Sequence, residues 1–252
     1  MIAANLKDRE REILRLLAVE PGVSVSRLSE QLGVSAVTIR SDLNSLSRKG
    51  LVQRTRGGAA PAFHPSVVAR QNLRVEEKNR IAQAAAGRIS DGDTIMIEAG
   101  TTTALIAKYI LGKRFVNVVT NSSLILPFAR LNPGIHLTVV GGEFRPATES
   151  FVGPIALGQL ERFHVRLAFV GTDGFSLTGG LTTHLVEGAE IVRKMAERSE
   201  TTVLVADSSK HGKIGFVHVL PVTRVGTLIT DTGLSAVARE ELVQAGVEVI
   251  QV

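Results

Sequence analysis

The sequence predicts a two-part protein of mixed α and β type. A small N-terminal winged helix-turn-helix domain is followed by an α/β domain whose sheet is mostly parallel. Three observations carry this expectation. Over the first sixty residues, apolar side chains recur at helical spacing in three short segments separated by Pro21-Gly22 and Gly33. Beyond residue 90, seven short β-branched runs alternate mostly with helical segments, as in parallel sheets covered on both faces. Charge is also uneven: residues 1–58 hold ten Lys/Arg and six Asp/Glu, a balance of +4 out of a total of +5. A basic front end on a near-neutral body suggests a small polyanion-binding module.

Composition excludes several classes. At 252 residues and 44% hydrophobic content, with a mean hydropathy of +0.19, the chain can bury a substantial core. Aromatics make up 4%, with no Trp and one Tyr, which argues against base-stacking platforms or sugar-stacking rings. The absence of cysteine excludes disulfides, thiolate nucleophiles and thiolate-bound metals. The segment MIAANLKDRERE lacks an apolar signal core, and no run approaches the ~18 apolar residues of a membrane span. The expected location is the cytoplasm, with no membrane partner.

In chain order, Leu6, Ile13, Leu16 and Leu17 predict a first amphipathic helix, broken at Pro21-Gly22. Ser24 caps a second, shorter helix with Val25, Leu28 and Leu32 as its inner stripe, and Gly33 supplies the turn. Ser35 caps a third helix, buried through Ile39, Leu43 and Leu46. Turning that helix by about 100° per residue places Val37, Ser41, Asn44 and Arg48 on the opposite side, flanked by Thr38, Arg40 and Ser45. Lys49-Gly50 ends it. LVQRTR with Gly57-Gly58 then reads as a β-hairpin wing carrying Arg54 and Arg56. A solvated helix beside a surface hairpin would fit the third segment alone. The two helices before it favour a helix-turn-helix, whose second helix crosses the DNA backbone while the third meets base edges and wing arginines grip phosphate.

The run VSAVTIRSDLNSLSRKGLVQRTRGGA strongly resembles the end of the DeoR-type helix-turn-helix of bacterial transcriptional regulators. The chain keeps Ser35, Thr38, Ile39, Arg40, Asp42, Leu43, Leu46, Gly50, Arg54, Gly57, Gly58 and Ala59 of that pattern. At Ser41 it departs from the family's usual second arginine. The resemblance implies double-stranded operator DNA as partner, contacted by Ser35, Val37, Thr38, Arg40, Ser41, Asn44, Arg48, Arg54 and Arg56.

The DNA-binding domain is expected over residues 1–59. Residues 60–72 lose periodicity around Pro61, His64 and Pro65 and are expected to be a linker; residues 73–252 form the second domain. LRVEEKNRIAQAAAGRI predicts a helix. The strand runs are TIMI, VNVV, IHLTVV, RLAFV, TVLVA, TLI and VEVIQV. Small polar residues and glycines follow most of them: Glu98 to Thr103, Thr120-Asn121-Ser122, Gly141-Gly142, Gly171 to Gly174, Asp207 to Lys210, and Thr230-Asp231. The carboxyl ends of parallel strands are where open α/β sheets bind ligands. Gly100, Thr101, Thr102 and Thr103, opening a helix, offer free N–H groups and hydroxyls suited to phosphate, and Lys210 a point charge for the same anion. Any one such turn has an ordinary structural use, but several together, with a lysine, favour a site. No Walker or GxGxxG pattern is present, so no nucleotide cofactor is expected.

The second domain also resembles the DeoR family, through EKNRIAQAAAGRISDGDTIMIEAGTTT, VVTNSSLI, VVGGEFRPATESFVGP, AFVGTDGFSLTGGLTT and VLVADSSKHGKIGF. The resemblance implies a ribose-5-phosphate-isomerase-like sensor for a phosphorylated sugar. By position it places Gly100 to Thr103 around phosphate, and Thr120, Asn121, Gly141, Gly142, Asp173, Gly180, Thr182 and Lys210 around the sugar. Glu98 stands where the family commonly has aspartate.

An isomerase would need an acid and a base at the sugar's C1 and C2, but after Asp173 no further carboxylate comes until Glu187. No catalytic residues are therefore assigned. Histidines 64, 136, 164, 184, 211 and 218 lack metal-ligand spacing, so no metal is expected. The reading is a sequence-specific regulator of sugar-metabolism genes, expected to repress and to act as a homo-oligomer (dimer or tetramer), since one module makes few base contacts. An isomerase-like enzyme with a DNA-binding appendage, and a non-specific nucleic-acid-binding scaffold, are the competing readings.

Overall fold

A computed structural model describes residues 6–20 and 22–252. It falls into two compact units, one running through Val75 and taking in Pro146–Thr148, the other comprising Glu76–Arg145 and Glu149–Val252.

In the first unit, α1 (Asp8–Val19), α2 (Val25–Leu32) and α3 (Ala36–Arg48) precede a hairpin of β1 (Val52–Thr55) and β2 (Gly58–Pro61). These are the helices and wing expected from periodicity. The side chains of Ser24 and Ser35 accept the N–H groups of Arg27 and Thr38, both at 3.2 Å, and so cap α2 and α3. Gly33 turns between them at φ +63°, a left-handed conformation that costs glycine nothing. Ile13 and Leu17 of α1, Leu28 of α2, and Ile39, Leu43 and Leu46 of α3 close one core over the wing's Val52 and Ala59. Pro21, expected to break the first helix, lies outside the described residues.

Residues 60–72 are not the aperiodic linker expected. They complete β2 and form α4 (Pro65–Asn72). His64 Nδ1 accepts the Ser66 N–H at 3.3 Å, and Pro65 occupies the first helical turn, where its missing N–H is no loss.

The second unit opens with α5 (Val75–Gly87), β3 (Thr94–Ile97), α6 (Thr103–Tyr109), β4 (Val116–Thr120), α7 (Leu126–Ala129) and β5 (Ile135–Val139). Then come β6 (Glu143–Arg145), β7 (Ser150–Val152), α8 (Pro154–Leu160), β8 (Val165–Val170), β9 (Gly174–Ser176) and β10 (Gly180–Thr183). It ends with α9 (Val186–Glu197), β11 (Ser199–Val205), β12 (Val217–Leu220), β13 (Thr227–Thr230), α10 (Ala236–Gln244) and β14 (Glu248–Gln251).

The seven predicted runs form one seven-stranded sheet in the order β14-β13-β11-β8-β3-β4-β5, every pair parallel. Its central strands are buried on both faces, while the edge strands β5 and β14 are only half-covered. Ile95 and Ile97 of β3 pack with Ile81, Ala85 and Ile106 from α5 and α6, whereas Met96 between them packs with Ala156, Ile191 and Met195 from α8 and α9. That two-sided burial is why the strands read as continuous apolar runs. Two small antiparallel sheets, β6-β7 and β12-β10-β9, flank the main one.

Candidate nucleic-acid interface and effector site

Helix α3 buries Ile39, Leu43 and Leu46 completely and leaves Val37, Arg40, Ser41, Asn44 and Arg48 exposed. Ser35 is also exposed, and Thr38 is half-buried with its hydroxyl 2.9 Å from that of Ser35. On the wing, Arg54 and Arg56 are exposed. Arg40, Arg48 and Arg56 make no ion pair or hydrogen bond among the described residues, so their guanidinium groups are available to an anion. Ser41, Asn44, Ser47 and Arg48 line one open depression along the helix. Sequence reasoning did not single out Ser47; its place three residues after Asn44, on the edge of the same stripe, is the signal that was available.

The face is held from behind by ion pairs. Arg9 Nε on α1 lies 2.5 Å from Oδ2 of the buried Asp42, and Lys49 Nζ lies 2.7 Å from Glu10 Oε2. The buried Asp42 thus holds α3 against α1, away from the exposed stripe of the helix.

In the α/β unit, the loops after β8, β3 and β4 meet at the carboxyl edge of the sheet. Glu98, at the end of β3, accepts the Gly171 N–H beyond β8 at 3.1 Å. A methyl group on Gly100 or Gly171 would come within 3.6 or 3.4 Å of that carboxylate oxygen. Asn121, beyond β4, accepts the Ala99 N–H at 2.9 Å and donates to the Phe151 carbonyl at 3.1 Å. Lys210 stands in a short turn after β11, half-buried, with no ion pair among the described residues.

Several predicted positions are occupied by the protein's own bonds. Thr120 is buried and donates to Ile97 O at 2.6 Å; Thr103 is buried and donates to Gly100 O at 3.0 Å. The buried Thr182 donates to Gly174 O at 3.1 Å and accepts the Gly215 N–H at 2.8 Å. Asp173 accepts the Thr183 hydroxyl and the His184 N–H, at 3.0 and 3.1 Å. Gly141 donates to Gln159 Oε1 at 2.8 Å. A methyl group on Gly142 or Gly180 would come within 2.4 Å of Val152 O or 2.5 Å of Leu220 O. These residues shape the loops. The half-buried Thr101 and Thr102 make no side-chain hydrogen bond among the described residues.

Among the described residues no three His, Asp or Glu side chains gather as a metal site, and no helix is long and apolar enough to cross a membrane.

Two family models match the chain: a DeoR-like helix-turn-helix domain over residues 9–62 and a DeoR C-terminal sensor domain over residues 73–232. The HTH-type transcriptional regulator GlpR of Haloferax volcanii is 36% identical over 96% of this chain and 96% of its own length. Transcriptional repressor AccR of Agrobacterium fabrum is 32% identical over 92% of each. A ribose 5-phosphate isomerase structure from Plasmodium falciparum overlays 55% of this chain and 54% of its own at 18% identity and a TM-score of 0.40.

Proposed function

We propose a function from one premise: the chain belongs to the DeoR family of transcriptional regulators. It binds operator DNA sequence-specifically through α3 and the wing, and a phosphorylated sugar at the carboxyl edge of the parallel sheet sets its affinity. The observation that carries the DNA half is the bare stripe of Val37, Ser41, Asn44 and Arg48 on a helix whose other face is wholly buried. Such a face, polar and basic with one small apolar side chain, suits a major groove.

For the effector half, Thr101 and Thr102 supply hydroxyls and Lys210 a positive charge for a phosphate dianion, while Glu98 stands where it can accept from a sugar hydroxyl. The relatives similar over most of the chain are named as transcriptional regulators, which supports a binding role for this edge over turnover. The regulator works in the cytoplasm as a homo-oligomer that represses genes of sugar metabolism. Effector and operator favour different arrangements of the paired DNA-binding modules.

Gel-shift titration on the DNA upstream of the protein's own gene, with and without a panel of sugar phosphates, tests this function. Sequence-specific binding altered by one of the panel supports it, whereas binding that depends on salt but not on sequence contradicts it. Turnover of an aldose or ketose phosphate would favour the enzyme reading.

A further inference from the structure

Val37 sits in the first turn of α3 and is 72% exposed. Val19 at the end of α1 and Leu73 after α4 are the other exposed large aliphatic side chains among the described residues of this unit, and neither lies on α2, α3 or the wing. It shares its stripe with Ser41, Asn44 and Arg48, all polar. The Ser35 cap fixes this turn, and a valine in a helix has one strongly preferred rotamer. Its methyl groups therefore project at the leading end of the helix with little freedom to lose.

Recognition helices meet base edges with their N-terminal residues, and the apolar feature that a base pair offers in the major groove is the 5-methyl of thymine. Opposite a purine N7, valine would displace water and return no hydrogen bond, so the same side chain also discriminates against that base. We infer that Val37 is a specificity-determining residue that reads the 5-methyl group of a thymine in each operator half-site. The inference rests on the DNA-binding function proposed above and adds the chemistry of one base position to it.

The test uses the full chain and a duplex enriched by it from randomised DNA. Each thymine of that duplex is replaced singly by deoxyuridine, and binding is read by fluorescence anisotropy for wild type and Val37→Ala. Alanine is the best helix former, so α3 is retained. At one thymine per half-site, loss of the methyl should weaken wild-type binding about fourfold, the equivalent of one buried methyl group. Val37→Ala should bind the thymine duplex about fourfold more weakly and be indifferent to deoxyuridine at that position. If deoxyuridine is tolerated everywhere, or its penalty is the same in Val37→Ala, the assignment is overturned. If no sequence is enriched by the wild-type chain, the regulator function itself fails, and the assignment with it.

Discussion

Lys49 Nζ, just beyond the end of α3, lies 2.7 Å from Oε2 of Glu10, a carboxylate on α1 with a side chain only 1% exposed. The pair fixes the C-terminal end of the proposed recognition helix to the body of its domain. Burial pushes the Glu10 carboxyl up, but hydrogen bonds from Lys49, the Ser45 hydroxyl and the Lys7 N–H together outweigh it and hold the group below its ordinary value. Lys49→Met leaves that carboxylate buried without its partly exposed cation, at a cost of about 2 kcal/mol for a lost buried partner. Amide exchange across Ala36–Arg48 should then quicken about 30-fold, where exchange follows local opening. Unchanged exchange would mean that the pair contributes nothing.

The same pair sets a pH dependence. A folded-state value below the unfolded one stabilises fully above about pH 4.3 and is lost as pH falls through the depressed folded value. Protection of α3 against exchange should therefore fall on acidification below about pH 4, less steeply in Lys49→Met than in wild type.

Arg54 on the wing donates to Asn44 Oδ1 at 3.3 Å. Since a guanidinium only donates, the amide oxygen of Asn44 faces the wing and its NH2 group is left for DNA. Asn44→Ala or Arg40→Ala should weaken operator binding by about 1–3 kcal/mol without unfolding. Unchanged gel-shift affinity in both variants would remove α3 from the groove.

Ser41, exposed at the centre of that stripe, stands where the family usually carries arginine. Ser41→Arg restores a long bidentate donor and should alter the base preference recovered by in-vitro selection. An identical selected motif would show that position 41 reads no base.

Lys210→Ala should lower sensitivity to the sugar phosphate about tenfold or more, the scale of 1.4 kcal/mol for a lost charge-assisted contact. DNA binding without effector should stay at the wild-type level. Release at the wild-type effector concentration would refute a phosphate role for Lys210.

Strong periodicity made the first domain legible. Ile39, Leu43 and Leu46 are fully buried, and the expected caps at Ser24 and Ser35 and the turn at Gly33 are formed. The seven apolar runs became the seven strands, and the central ones read as continuous runs because they are covered on both faces. Helix α4 was illegible because its signals, a histidine cap and a first-turn proline, also read as a loop. The short strands β6 and β9 carry three residues each, too few to show a period. At the effector site, position could be read but orientation could not. Thr120 donates to Ile97 O because those residues are partners in the β3–β4 ladder, and that pairing is not written in the sequence around Thr120. Similarly, Glu98 meets the Gly171 N–H only because β3 and β8 are neighbours.

Linkage between the two halves is tested most directly by a single titration. The full chain is bound to its own upstream DNA at fixed salt, with and without saturating amounts of the sugar phosphate that most raises its melting temperature. A coupling of about 1–3 kcal/mol predicts a 5- to 150-fold change in operator affinity, with the reciprocal change in sugar-phosphate affinity when DNA is present. Operator affinity that stays the same at saturating effector would contradict the account.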